Sequence, residues 1–385
     1  MTSILLLVVI YISFISLGLP DSVLGAAWPM MHIDLGVDIW MAGILSMATC
    51  FGTIISSLAF SFISRHLKTI TITIVSTILT AISLTLYGIM DIFSLLIPFA
   101  LLLGLGAGSI DAALNHYVSV HYKARQMSFL HASWGLGTTV GPFLLAYAFA
   151  HGKTWQFGYR TIAIIQVGIV FLMFISIPLW KKDGYEVKSG IEIEAKQIGY
   201  KEAIARPGAP FALLGFFSYC AMENMSIVWS SAYAVSRGLG EASSASAAGL
   251  LFWGLTIGRI ITGLLADKVG DKNAIRAGLC IMVPGIVLLW MLPVEYIALS
   301  LFILGMGYGP LYPSMIHQTP ILYGKDASAT LIGLEMASAY IGSTFMPPLF
   351  GLISKWFGLG FLPILLLIIS VMLIFSTKLK RSGQK

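Results

Sequence analysis

Four carboxylates in this sequence stand where water is scarce. Of 17 Asp and Glu residues, Asp21, Asp111, Glu223 and Glu335 fall inside long apolar stretches (SLGLPDSVLGAAWP, GAGSIDAALNHY, YCAMENMSIVW and GLEMASAYIG). An ionised side chain at the centre of a bilayer costs about 2.5–3.5 kcal/mol even on insertion scales. Such a group persists where it lines a cavity, meets a cation or carries a proton. No lysine lies deep in these stretches, and Arg259 falls towards the end of its own. Without a cation, burial favours the neutral acid. A carboxyl poised this way takes up a proton on one side and releases it on the other. Asp21, Asp111 and Glu223 are therefore the expected proton-coupling groups.

The residues around these acids supply candidate ligand contacts. Asp111 and Asn115 are four apart and so share one helix face; a polar clamp between helices is the structural alternative. Asn224, beside Glu223, offers both a donor and an acceptor. Trp229 offers a flat apolar wall, although tryptophans also anchor at membrane interfaces. Gln166 is expected to face a cavity. Asn115, Glu223, Asn224, Gln166 and Trp229 form the expected substrate-binding set. Pro20 removes a backbone donor just before Asp21 and can break its helix. A second group reads as a gate. In GRIITGLLADKVGDK, Arg259, Gly263, Asp267 and Lys268 place glycines for close helix contact and an acid that can pair with nearby cations; an ordinary charged turn is the alternative. Glu335, near the cytoplasmic start of its helix, and His131, which titrates near neutral pH, complete the expected gate. His116 and His317 read first as satisfied structural histidines.

These side chains need elements to hold them, and composition says which. The 385 residues are 57% hydrophobic and 10% charged, with mean hydropathy +0.89. Soluble domains carry about 25% charged residues, so this surface is one that meets lipid. Eleven breaks, the first at 28–40 and the longest at 181–207, separate twelve apolar runs. Each run is on the order of 20 residues, a membrane span. Backbone groups in hydrocarbon must bond internally, which makes the runs α-helices, and the alternation of a barrel strand is absent. The N-terminus (MTSILLLVVIYISFISLGLP) lacks a basic flank and reads as a retained first helix. Cys50, Cys220 and Cys280 have neither disulfide nor metal spacing. The net charge of +6 lies in short segments between apolar runs, so nucleic acid is not an expected partner.

Charge asymmetry orients the chain. Eighteen of the 23 Lys and Arg residues fall on the side that holds both termini, four fall on the other, and Arg259 lies within a helix. The basic side is cytoplasmic by the positive-inside rule, giving a multi-pass inner or plasma membrane protein with both termini inside. The Lys- and Glu-rich stretch 181–207 reads as a cytoplasmic linker between a six-helix half at 1–180 and another at 208–385, and its YKEAIA piece as a short surface helix. An internal echo supports two halves. GLGAGSIDAALNHYVSVHY starts at Gly104 and GMGYGPLYPSMIHQTPILY at Gly305, each with three glycines at two-residue spacing. The fold class expected is an all-α membrane protein of twelve transmembrane helices in two six-helix halves.

Short motifs add a resemblance. The segment from Gly258 to Lys272 resembles the loop signature of the major facilitator superfamily, G-x-x-x-D-[RK]-x-G-x-[RK], whereas its counterpart SSLAFSFISRHLK keeps only basic residues. LPDSVLG and GAGSIDAALNHY resemble the first and fourth helices of the fucose–galactose–glucose proton symporter family. The resemblance implies that an acid in each helix serves proton coupling and sugar recognition. Asp21 and Asp111 fall on those positions, Asp111 in place of the family's usual Glu, and Asn115 matches the Asn that follows. The Glu223-to-Trp229 segment and GPLYPSMIH are similar to that family's second half. GTTVGP, from Gly137 to Pro142, is instead similar to an element of major facilitator exporters.

The reading that results is a secondary transporter working by alternating access, taking up a sugar or sugar-like solute with a proton. It is expected to act as a monomer in the lipid bilayer, with no cofactor beyond the coupling ion, sodium being the alternative ion. The competing functions are a proton-coupled antiporter that exports drugs or metabolites, and a receptor that kept the fold. With no nucleophile elbow, metal cluster or P-loop, an enzyme or an ATP-driven pump is not expected.

Overall fold

A computed structural model describes residues 2–64, 66–122, 124–182 and 199–382; a few side chains within helices, that of Asp267 among them, fall outside the description. Among the described residues there is no strand. The first span is two helices, Thr2–Asp21 and Val23–Asp34, parted at Ser22 just after Pro20. The second to sixth spans are Ala42–Ile63, Thr69–Tyr87, Phe93–His121, Ala124–Ala150 and Trp155–Lys182. A short helix, Tyr200–Ala205, precedes the seventh span, Ala209–Ser236. The eighth and ninth share one helical track, Glu241–Met291, interrupted where Gly270 turns to φ 69°. The tenth is Ile297–Tyr308 followed by Leu311–Tyr323, the eleventh Lys325–Phe357 and the twelfth Leu362–Ser382. Eleven of these are long and apolar enough to cross a membrane, and the fifth is also a continuous helix of 27 residues.

One boundary differs from the sequence reading. The first break, expected from residue 28, does not begin until after Asp34. Trp28 is fully buried, and its indole N–H donates to Ile39 O at 2.5 Å; this contact pins the helix end that the polar residues had suggested was a loop. The stretch expected to link the two halves lies outside the described residues from 183 to 198.

Two compact units form, one of residues 1–190 with Gly240–Gly249, the other of 191–239 with 250–385. In the first, the second span packs on the fourth and the first on the fifth. The glycine triplet makes the former contact. A Cβ on Gly104 would run into Thr49 O and one on Gly108 would sit 2.6 Å from Thr53 O, both on the second span, while Gly106 turns to Ser76 O of the third at 2.7 Å. In the other unit Gly305 meets Leu251 O and Gly309 comes 2.6 Å from Gly258 C, both on the eighth span, while Gly307 turns to Met282 of the ninth. Each partner is six spans on from its twin, so the echo in sequence is also an echo in packing.

Candidate functional site

Asp21 ends the first helix with its side chain exposed. The fifth span reaches it because small residues let the two helices touch: a Cβ on Gly18 would meet Trp134 O, and one on Gly137 would meet Ile15 O. Trp134 Nε1 then donates to Asp21 Oδ2 at 2.8 Å. On the fourth span Asn115 Nδ2 donates to Asp111 Oδ1 at 2.9 Å, the i, i+4 geometry the spacing required. Asp21 and Asp111 lie within electrostatic reach of one another. Among the described residues neither is in an ion pair. The structure thus holds each of these two carboxylates of the first unit by a neutral N–H donor.

Gln166 stands elsewhere. It is fully buried. Its Nε2 donates to Ser16 O at 2.6 Å, and its Oε1 accepts from the Ser16 hydroxyl. The reason lies in the backbone. Pro20 has no N–H to give the carbonyl four residues back, which is that of Ser16, and Gln166 supplies the donor. Gln166→Leu is therefore expected to destabilise the protein by about 1–3 kcal/mol, the cost of an orphaned buried carbonyl. Adding Pro20→Ala, which restores a backbone N–H, should recover part of that loss. Thermal unfolding of the two single variants and the double variant in detergent measures the coupling; strictly additive losses would contradict it.

In the second unit Glu223 is part of an ion pair. Arg259 Nη2 lies 3.4 Å from Glu223 Oε1, and Tyr219 Oη donates to the same oxygen at 2.9 Å. The sequence set Arg259 near a helix end, apart from the acids. Its span continues to Leu265, which leaves the guanidinium within reach of the seventh span. Rings close the site: Tyr219 stands edge-on to Tyr308 at 5.9 Å and tilted to Tyr312 at 5.9 Å, and Phe216 packs edge-on to Tyr312 at 5.5 Å. None of Trp134, Tyr219, Tyr308 or Tyr312 was singled out from sequence. Tyr219 had a local signal, its position one helical turn before Glu223.

Two other expected contacts bond to the eleventh span. Asn224 Nδ2 donates to Ser343 Oγ of the eleventh span at 2.9 Å. Trp229 is fully buried; its Nε1 donates to Pro347 O at 3.0 Å and its ring meets Phe350. Both tie the seventh span to the eleventh. Of the expected gate, Gly263 and Lys268 are exposed and a Cβ on Gly263 would meet nothing within 4 Å; the close contact is at Gly258, whose Cβ would come 2.5 Å from Met306 O. The Asp267 side chain lies outside the described residues. Glu335 is fully buried and accepts from the Thr319 hydroxyl at 3.0 and 2.8 Å. His131 is exposed, its ring edge-on to Phe14. His116 stands edge-on to Phe60, and His317 Nδ1 lies 2.6 Å from Asp271 Oδ2.

Comparison with known proteins gives this arrangement its class. The family model of the Major Facilitator Superfamily matches residues 10–334 and 211–384, and the chain belongs to that superfamily. It is a multi-pass membrane transporter for a small-molecule substrate. No curated protein sequence matches it. Among solved structures it is similar to the nucleoside transporter NupG, with a TM-score of 0.77 at 11% identity over 98% of this chain and 99% of that one. It is similar to a D-xylose-proton symporter, TM-score 0.75 at 12% identity over 99% and 97%. It also resembles a bacterial homolog of the human lysosomal transporter Spinster, inward-facing and occupied, TM-score 0.73 at 12% identity over 98% and 96%. At these identities the likeness is one of fold.

Proposed function

We propose that this protein is a proton-coupled symporter that takes up a sugar or sugar-like solute by alternating access. The observation that carries the reading is the pair of span carboxylates, Asp21 and Asp111, each held by a neutral donor, Trp134 and Asn115, at 2.8 and 2.9 Å. A carboxylate held without a cation in a span is stabilised in its place by geometry yet stays titratable, as a coupling acid must. Protonation removes the charge, and the neutral, loaded protein reorients. The motifs shared with the fucose–galactose–glucose proton symporter family point the same way, and a D-xylose-proton symporter shares the fold. The proton is the coupling ion, with sodium the alternative. A monomer in the cell membrane with cytoplasmic termini, a half at 1–180, a linker at 181–207 and a second half at 208–385 complete the proposal.

Export by antiport rests on GTTVGP. Its glycines have a packing use: a Cβ on Gly137 would meet Ile15 O and one on Gly141 would lie 2.7 Å from Leu19 O, so the element is accounted for by close approach to the first span. Purified protein in liposomes under an imposed inward proton gradient decides the direction. Accumulation of D-galactose, D-glucose or a related solute that vanishes when the gradient is collapsed is the expected result. Solute extrusion under the same gradient would replace symport with antiport, and binding without counterflow would indicate a receptor.

A further inference from the structure

The ion pair of the second unit is a single long contact shared with Tyr219. A structural arginine–carboxylate pair closes with two parallel N–H···O contacts at about 2.7–2.9 Å. Here Glu223 engages Arg259 through one nitrogen at 3.4 Å, and both side chains keep some exposure, 18% for Arg259 and 12% for Glu223. The Tyr219 hydroxyl serves the same carboxylate oxygen and is also hydrogen-bonded to the guanidinium, with Tyr312 nearby. An arginine in a membrane span, partly exposed and set among phenols and an acid of its own chain, matches a planar carboxylate from outside.

We propose that Arg259 is the recognition site for a carboxylate on the substrate, with Glu223 as its stand-in when the site is empty, so that the solute carried is a sugar acid or related polyhydroxy acid. This rests on the symport reading and narrows its substrate class. Charge conservation sets the proton step. The empty site holds one carboxylate and one guanidinium and is neutral. When a second carboxylate takes the guanidinium, Glu223 loses its partner in a medium that disfavours lone charge, and it binds one proton from the aqueous side. The loaded site, with Glu223 protonated and Arg259 paired to substrate, is again neutral. The groups facing Glu223 are Tyr219 and Cys220 from its own span, Arg259 from the eighth and Tyr308 from the tenth, with Tyr312 facing Arg259; Arg259 is the cation in this group.

The test uses the purified full-length protein, with D-gluconate and D-glucuronate as probes and D-glucose and D-galactose as neutral controls. Binding is read by thermal shift across a range of pH and transport by uptake into liposomes. At least one sugar acid should bind more tightly than either neutral sugar, with one proton taken up per molecule bound. Arg259→Lys, which keeps the charge but not the fork, should weaken that binding roughly tenfold or more. Glu223→Gln, a mimic of the protonated acid, should bind the sugar acid with little dependence on pH, a result that a variant broken in folding could not give. If neither sugar acid binds while a neutral hexose does, or if Arg259→Lys and Glu223→Gln leave the affinity for the acid and its pH dependence unchanged, the anion site is overturned and symport stands. If a sugar acid binds as described but no proton gradient drives its uptake, the anion site stands and symport falls.

Discussion

Asp111→Asn is expected to reduce proton-driven accumulation sharply while leaving exchange of solute across the membrane in place. A one-proton symporter converts each unit of pH gradient into about 1.4 kcal/mol, or roughly a tenfold concentration ratio. That ratio exists only through a coupling free energy between the proton site and the solute site. Asparagine keeps the size of the side chain and can still meet Asn115, whose amide lies 2.9 Å from Asp111 Oδ1. What it loses is the proton. The ratio at steady state should therefore fall well below that of the unaltered protein under the same gradient, while counterflow of labelled against unlabelled solute continues. The measurement is the pair of assays on one preparation. Equal loss of accumulation and counterflow would remove Asp111 from the coupling role and leave it as a binding or folding residue. Asp21→Asn should behave alike, since the same argument applies through Trp134.

Gly104→Leu and Gly305→Leu should each cost several kcal/mol, on the order of 3 or more, and prevent recovery of monodisperse protein. At both positions the first side-chain carbon would overlap a backbone carbonyl of the neighbouring span, Thr49 O in one unit and Leu251 O in the other. A backbone oxygen inside a helix cannot swing aside as a side chain can, so relief requires the two helices to separate along their length. Gly263→Ala is the contrast. No atom lies within 4 Å of a Cβ there, and alanine in a helix gains up to about 1 kcal/mol over glycine, so this change should be neutral or mildly stabilising. Yield and melting temperature by fluorescence-detected gel filtration read all three. A Gly305→Leu protein as stable as the Gly263→Ala protein would show that the contact is not as drawn.

The sequence made some of this arrangement visible and not the rest, for physical reasons. A charge in an apolar run is conspicuous in one dimension, so Asp21, Asp111, Glu223 and Glu335 could be picked out individually. Helical periodicity carries information over one turn, which made the Asp111–Asn115 contact legible and should have revealed Tyr219 beside Glu223. Twelve helices followed from hydropathy alone, because hydrocarbon leaves the backbone few alternatives. The cross-span partners left no such trace. Trp134 lies 113 residues from Asp21 and Arg259 lies 36 from Glu223, and nothing local marks which helix faces which. Gln166 shows a signal that was present but indirect. A proline inside a helix implies a carbonyl four residues earlier in need of a donor, so Pro20 pointed to Ser16, although not to the residue that would serve it.

That proline has a mechanical consequence. Prolines in membrane helices are natural places to look for a pivot, and Pro20 sits immediately before Asp21, the proposed coupling acid, in a helix parted at Ser22. Yet the missing backbone bond is replaced by one from the sixth span, at 2.6 Å and fully buried. Bending the first helix at Pro20 would pull Ser16 from Gln166 and expose an unmet carbonyl to hydrocarbon. The first and sixth helices are riveted at the point where one of them is weakest. On the proposed reading, a movement that delivers the Asp21 proton has to carry both helices together.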